Sequence, residues 1–194
     1  MPALISPTTE LEAVNECLAN IGQAPVSTIS GDLGVDTQIA LSFVRSVNRE
    51  LQSQGWFWNT EINYPLTPNG DGDIILPSNT LSVDSTGVDS YLNVVQRGQR
   101  LYNRDTFSYT FTDPVYTELV VGLTFEQLPE TARRYISLRA ARLFQERVDD
   151  SVSQTDMTDE VNALSVLKAE QLRNEDVNML SGSWSVFSTL RRTV

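Results

Sequence analysis

The chain has no histidine, one cysteine and one lysine in 194 residues. Without histidine there is no Ser-His or Cys-His nucleophile, no imidazole base and no histidine-bound zinc. A lone Cys17 excludes a disulfide framework or a thiolate metal site within one chain. It lies among Leu11, Val14, Leu18 and Ile21 at helical spacing and reads as a core residue. Lys168 follows no glycine-rich phosphate loop, and no dinucleotide fingerprint occurs, so nucleotide chemistry finds no support. Long apolar runs are missing as well. The stretch at 119–123 is among the longest, against the roughly 20 residues that cross a bilayer. The first ten residues lack the basic start and apolar core of a secretory signal. Neither a cofactor, a metal nor a membrane partner is expected.

Positive charge is scarce: 14 Lys plus Arg face 25 Asp plus Glu, leaving −11 and a pI near 4.4. Such a chain repels nucleic acid and anionic membranes at neutral pH. What is present suits an ordinary fold, since 40% of the residues are hydrophobic at 21.6 kDa, enough to bury a core.

Thr9 and Glu12 have capping-box spacing, and Leu11, Val14, Leu18 and Ile21 follow at three and four residues, predicting a helix over about 10–21 that Gly22 and Pro25 end. Asp36 is the expected N-cap of a second helix with Ile39, Phe43, Val47 and Leu51 on its face and Ala40 and Val44 beside it, closed by Gly55. From Trp56 the pattern changes. WFWNTEINY, DIILP, YLNVV and YTELVVGL are rich in aromatic and β-branched residues and are separated by turn signals, predicting an antiparallel β region over 57–124. PNGDGD alternates Asn69, Asp71 and Asp73 like the start of a calcium loop. Ile74 and Thr80 then stand where such a loop needs glycine and glutamate, so a hairpin turn is preferred. Pro129 and Glu130 open a third helix with Ile136, Ala140, Leu143 and Phe144 as its stripe, ending near Asp149. A fourth, over about 157–179, uses Val161, Leu164, Leu167 and Leu172.

The expected class is therefore α+β: an antiparallel helix bundle from 1–56 and 125–181, a β insertion at 57–124, and an extended C-terminal arm at 182–194. In the arm Trp184, Phe187 and Leu190 are large apolar side chains in a segment too short to bury them alone. They either fold back on the bundle or dock on a partner as aromatic anchors, with Arg191 and Arg192 against an acidic rim.

Charge is unevenly placed. Residues 127–148 hold five Arg and two acids, whereas 149–176 hold eight acids, one Lys and one Arg. Two readings follow: neighbouring helices neutralise each other within the chain, or the basic helix of one subunit meets the acidic helix of the next. In the second, Arg133, Arg139, Arg142 and Arg147 face Asp156, Asp159 and Glu160 across the interface. Catalysis, by contrast, has only carboxylates to draw on. Glu61 beside Trp56, Phe57 and Trp58 is the one hint of a glycan-hydrolysing site, and these aromatics fit hinge packing better. A non-enzymatic adhesion module is a further alternative.

Several stretches carry a family resemblance: IGQAPVSTISGD at 21–32, NRELQSQGWFWN at 48–59, the residues Pro129, Glu130, Arg133, Ile136, Ala140, Arg142, Phe144 and Arg147, then Tyr102 to Arg104, and Asn178-Met179-Leu180. In order along the chain, these resemble the tail tubular protein A family of short-tailed bacteriophages, the head-to-tail adaptors. The resemblance implies a non-enzymatic virion protein of the short non-contractile tail, made in the host cytoplasm. It also implies a ring of twelve copies between the portal protein and a nozzle resembling tail tubular protein B, with tail fibres attached nearby and DNA crossing the lumen without specific binding. Ring proteins are commonly monomeric before they meet their template, so a free monomer is expected, and the arm's apolar residues make the portal its expected dock.

Overall fold

The computed structural model describes residues 6–149 and 154–182. Four helices, α1 (Glu10–Asn20), α2 (Val35–Gln52), α3 (Glu130–Asp149) and α4 (Gln154–Gly182), surround in sequence five strands, β1 (Thr60–Leu66), β2 (Thr80–Ser85), β3 (Val94–Arg97), β4 (Arg100–Asn103) and β5 (Val115–Val121). The class is α+β. The chain divides into two compact units, 1–44 with 129–194 and 45–128, so the division falls inside α2 rather than at its end.

In the helical unit, α1 starts where its cap residues dictate. The Thr9 hydroxyl accepts from the Glu12 amide and Glu12 reaches back to the Thr9 amide. It ends in a Schellman turn, in which Gln23 donates to the Leu18 carbonyl and Gly22 to that of Ala19 while Gly22 takes φ +72°. Helix α3 lies against both α1 and α4. Its partners explain why Ala132, Tyr135, Ile136, Ser137, Ala140, Ala141 and Phe144 are all buried, a face broader than the predicted stripe. Contacts between the helices give their directions. Contacts from Thr8–Glu130 through Glu16–Arg134 to Asn20–Gln145 advance together, so α1 and α3 run parallel. Thr131–Glu170 and Arg139–Glu160 run oppositely, so α3 and α4 are antiparallel. A short connection enforces the second arrangement, whereas the chain between α1 and α3 is long enough to permit the first.

Two helices depart in part from the faces predicted. On α2 Ala40, Val44, Val47 and Leu51 are buried as expected, joined by Thr37, Leu41 and Gln52, while Ile39 is left exposed and Asp36 lies inside the first turn instead of capping it. On α4 Leu167 is fully buried, but Val161 and Leu172 are 65% and 62% exposed.

Cys17 is buried in α1, and burial, with a smaller push from the adjacent Glu16 carboxylate, raises its thiol from 9.0 to about 12. Native protein should therefore resist iodoacetamide at mildly alkaline pH while denatured protein is alkylated, a difference read by intact mass. Because the folded value lies above the unfolded one, the stability from keeping this thiol neutral is full below pH 9.0 and is lost as pH rises toward about 12.

In the second unit β5 is the centre of a three-stranded antiparallel sheet ordered β1-β5-β2, and β3 pairs with β4 in a separate hairpin. Alternation along β5 sends Val115, Thr117 and Leu119 inward and Tyr116 and Glu118 outward. Val115 and Leu119 join Leu66, Ile74, Leu76, Val83, Val94, Leu101 and Phe111 in one core. The predicted strand at 73–77 makes only isolated bridges, Asp73 to Thr110 and Ile75 to Arg100. Its alternation still buries Ile74 and Leu76 while Ile75 stays exposed. The turn before it is closed by Asn69, whose Oδ1 accepts from the amides of Asp71 and Asp73. It does not make a hairpin of β1 and the 73–77 segment, because β1 pairs with β5.

Candidate functional site

The strongest polar constellation in the helical unit joins α3 to α4. Arg139 donates to Glu160 Oε1 at 3.0 Å, and Arg142 Nε donates to Glu160 Oε2 at 2.5 Å. Glu160 and Arg142 keep only 11% and 16% side-chain exposure, so solvent screens the pair weakly. Arg133, also buried, donates to the Thr8 carbonyl at 2.9 Å. Arg134, half exposed, holds Glu16 with one guanidinium nitrogen, and the Thr131 hydroxyl donates to Glu170. Thus Arg133, Arg139, Arg142 and Glu160 all meet partners inside the chain. Of the other interface candidates, Arg147 and Asp159 are exposed and Asp156 is half-buried. The arm residues Trp184, Phe187, Leu190, Arg191 and Arg192 lie outside the described residues.

The end of α2 forms a second constellation around two buried amides. Gln52 accepts from the Leu123 amide at 2.7 Å and donates to the Leu123 carbonyl at 2.9 Å. Asn59 accepts from the Trp56 amide and donates to the carbonyls of Gln52 and Val121 at 2.9 and 3.0 Å. Trp56 is buried with its indole N–H on the Leu51 carbonyl and its ring stacked on Trp58. These aromatics pack the turn that carries the chain from helix to sheet, while Glu61 stands exposed on β1. Asn59→Ala would leave three backbone groups without their partner and is expected to cost about 2 kcal/mol. Urea unfolding of the tryptophan signal measures it.

The β3–β4 hairpin carries a third surface, which the sequence reading passed over. A hollow of about 380 Å³ is lined by Asn93, Arg97, Tyr102, Arg104 and Phe107. Arg97 lies 3.6 Å over the Tyr102 ring and Arg100 4.2 Å over that of Tyr109, and the two rings meet edge to face. The legible signal was the window 90–104, with three arginines and no acid in a chain of net −11. What folding added was the return of Phe107 to its rim. Among the described residues no group of three or more His, Cys, Asp or Glu is placed to hold a metal ion.

A model of the tail tubular protein family matches residues 11–177. The chain belongs to this family. Tail tubular protein A of Klebsiella phage KP34 is 34% identical over 128 residues, which cover 66% of this chain and 67% of that protein. As a tail tubular protein, the chain is a structural component of the phage tail and thus of the virion. No helix among the described residues is long and apolar enough to cross a membrane.

Tail tubular motifs that read as sequence fragments acquire structural roles here. Following α1, the 21–32 segment is tied down by Asn15, which accepts from the Val26 amide at 2.8 Å and donates to its carbonyl at 3.0 Å. The 48–59 segment supplies both amides of the Gln52–Asn59 clamp. Arg133, Ile136, Ala140, Arg142 and Phe144 form the shared interior of α3 with its neighbours.

Proposed function

We propose that this tail protein is the head-to-tail adaptor, assembling as a ring, of twelve copies in the family resemblance, between the portal protein and the nozzle. The observation carrying the reading is the family match along residues 11–177, to which the KP34 relative adds the tail tubular protein A subtype. The net charge of −11 supports a conduit, because a lumen of that sign repels the phosphate backbone and lets DNA slide during packaging and ejection. Arg147 and Asp159, exposed on α3 and α4, remain available for contacts between copies. The arm at 182–194 docks on the portal through Trp184, Phe187 and Leu190, with Arg191 and Arg192 at the rim; tail fibres attach at the junction with the nozzle.

Electron microscopy of the chain mixed with portal and nozzle proteins tests the reading. Rings stacked on the portal are expected, whereas a chain that stays monomeric beside both partners would reject the adaptor role. Deleting 182–194 should abolish portal binding while light scattering of the free chain still reports a monomer. Unchanged affinity for the portal would remove the arm from the proposal.

A further inference from the structure

The arginine and aromatic hollow on the β3–β4 hairpin is built like the centre of a protein interface. Arginine and aromatic side chains dominate binding energy where they are packed together and can be desolvated. Phe107 is 80% exposed and held at φ +54°, a left-handed conformation that side chains rarely adopt. Asn103 maintains it, bridging to Ser108 through both backbone groups and accepting the amides of Asp105 and Thr106 on its side-chain oxygen. Beside it Arg97 and Arg104 form no ion pair with any described carboxylate: Arg97 rests on Tyr102 and Arg104 donates to the Asn93 amide oxygen.

We infer that this hollow receives helix α4 of a second copy of the chain, so that neighbouring copies join head to tail; the inference rests on the ring assembly proposed above. Charge selects the occupant. Helix α4 holds six acids against Lys168 and Arg173, a net of −4, while the hairpin window is +3. The same helix exposes Met157, Val161, Val166 and Leu172, apolar side chains suited to lie against Phe107 and the paired tyrosines. Within the chain the attraction between α3 and α4 is already satisfied by Glu160, which takes both Arg139 and Arg142. The exposed Asp159 is left for an outside partner. Nucleic acid is disfavoured as the occupant, since a polyanion approaching the hairpin must also approach a chain of −11. The two patches are different surfaces, so copies that each use one patch toward one neighbour and the other toward the next join head to tail and can close a ring.

Cross-linking in assembled tails tests this. Tails are purified from phage whose protein carries Arg97→Cys, Asp159→Cys or both, and are treated with a short bismaleimide; the buried Cys17 stays silent. The double variant should give a ladder of covalent multimers of the chain, and each single variant none. Rings visible by electron microscopy without a ladder would overturn the contact while leaving the ring intact. A cross-link from position 97 to another virion protein would overturn it in favour of that partner, and parent tails in which the unsubstituted chain forms no ring would reject the ring and the contact together. A second variant guards against local misfolding: Arg97→Glu with Arg104→Glu should lose ring assembly while keeping native circular dichroism, and adding Asp159→Arg should restore it. Rings built normally by the charge-reversed chain would sink the inference.

Discussion

Phe144→Ala is expected to cost the helical unit about 3–5 kcal/mol, the largest effect of any single truncation considered. Phe144 is the largest fully buried side chain, and its ring meets Phe43 edge to face at 6.0 Å and 66°. Truncation removes the transfer energy of a whole ring and opens a cavity beside α3, which neighbours on two other helices prevent from collapsing. Leu143, one position along and half-buried, should lose far less on the same change. Urea unfolding followed by helical circular dichroism measures both. Equal midpoints for the two variants would show that α3 does not carry the interior of this unit.

Glu160→Gln should cost about 3 kcal/mol. The isosteric change keeps volume and removes the carboxylate that Arg139 and Arg142, 27% and 16% exposed, share, leaving Arg142 its outer bridge to Glu146. Coulomb attraction in a largely desolvated site is strong, but so is the cost of having desolvated the groups, so breaking the triad and replacing it differ in sign. Leucine at 139, 142 and 160 together should recover much of the loss. A Glu160→Gln chain with the parent's urea midpoint would mean that the ion pairs contribute nothing net. The triple variant separates a stabilising triad from one that only specifies how α3 meets α4.

Local chemistry made both ends of α1 legible, because a cap acts within four residues. Thr9 with Glu12, and Gly22 after α1, do in the fold what their spacing says. Burial within a helix was less legible. Helix α2 has apolar side chains on more than one face, and the neighbours chose Ala40, Leu41 and Val44 over Ile39. Strands β2 and β4, TLSVDS and RLYN, carry too many polar residues to announce themselves. They exist because β5 and β3 offer them ladders. Segment 73–77 fails the other way, with good alternation and no continuous partner.

The candidate surfaces divide similarly. Counting charge along the chain separates a basic helix from an acidic one, yet only the antiparallel approach of α3 and α4 brings Glu160 between Arg139 and Arg142. Three arginines in an acid-free window are visible in the sequence. Their stacking on Tyr102 and Tyr109 and the return of Phe107 require the hairpin to close.

By itself the sequence determined the α+β class, the family, the charge of −11 and the missing histidine chemistry, because composition, capping and short motifs need no tertiary contact to be read. The tertiary structure alone decided the parallel course of α1 and α3, the buried side of each helix and the meeting of distant charges. These depend on which surfaces are brought together across long separations, and burial follows the neighbour rather than the residue.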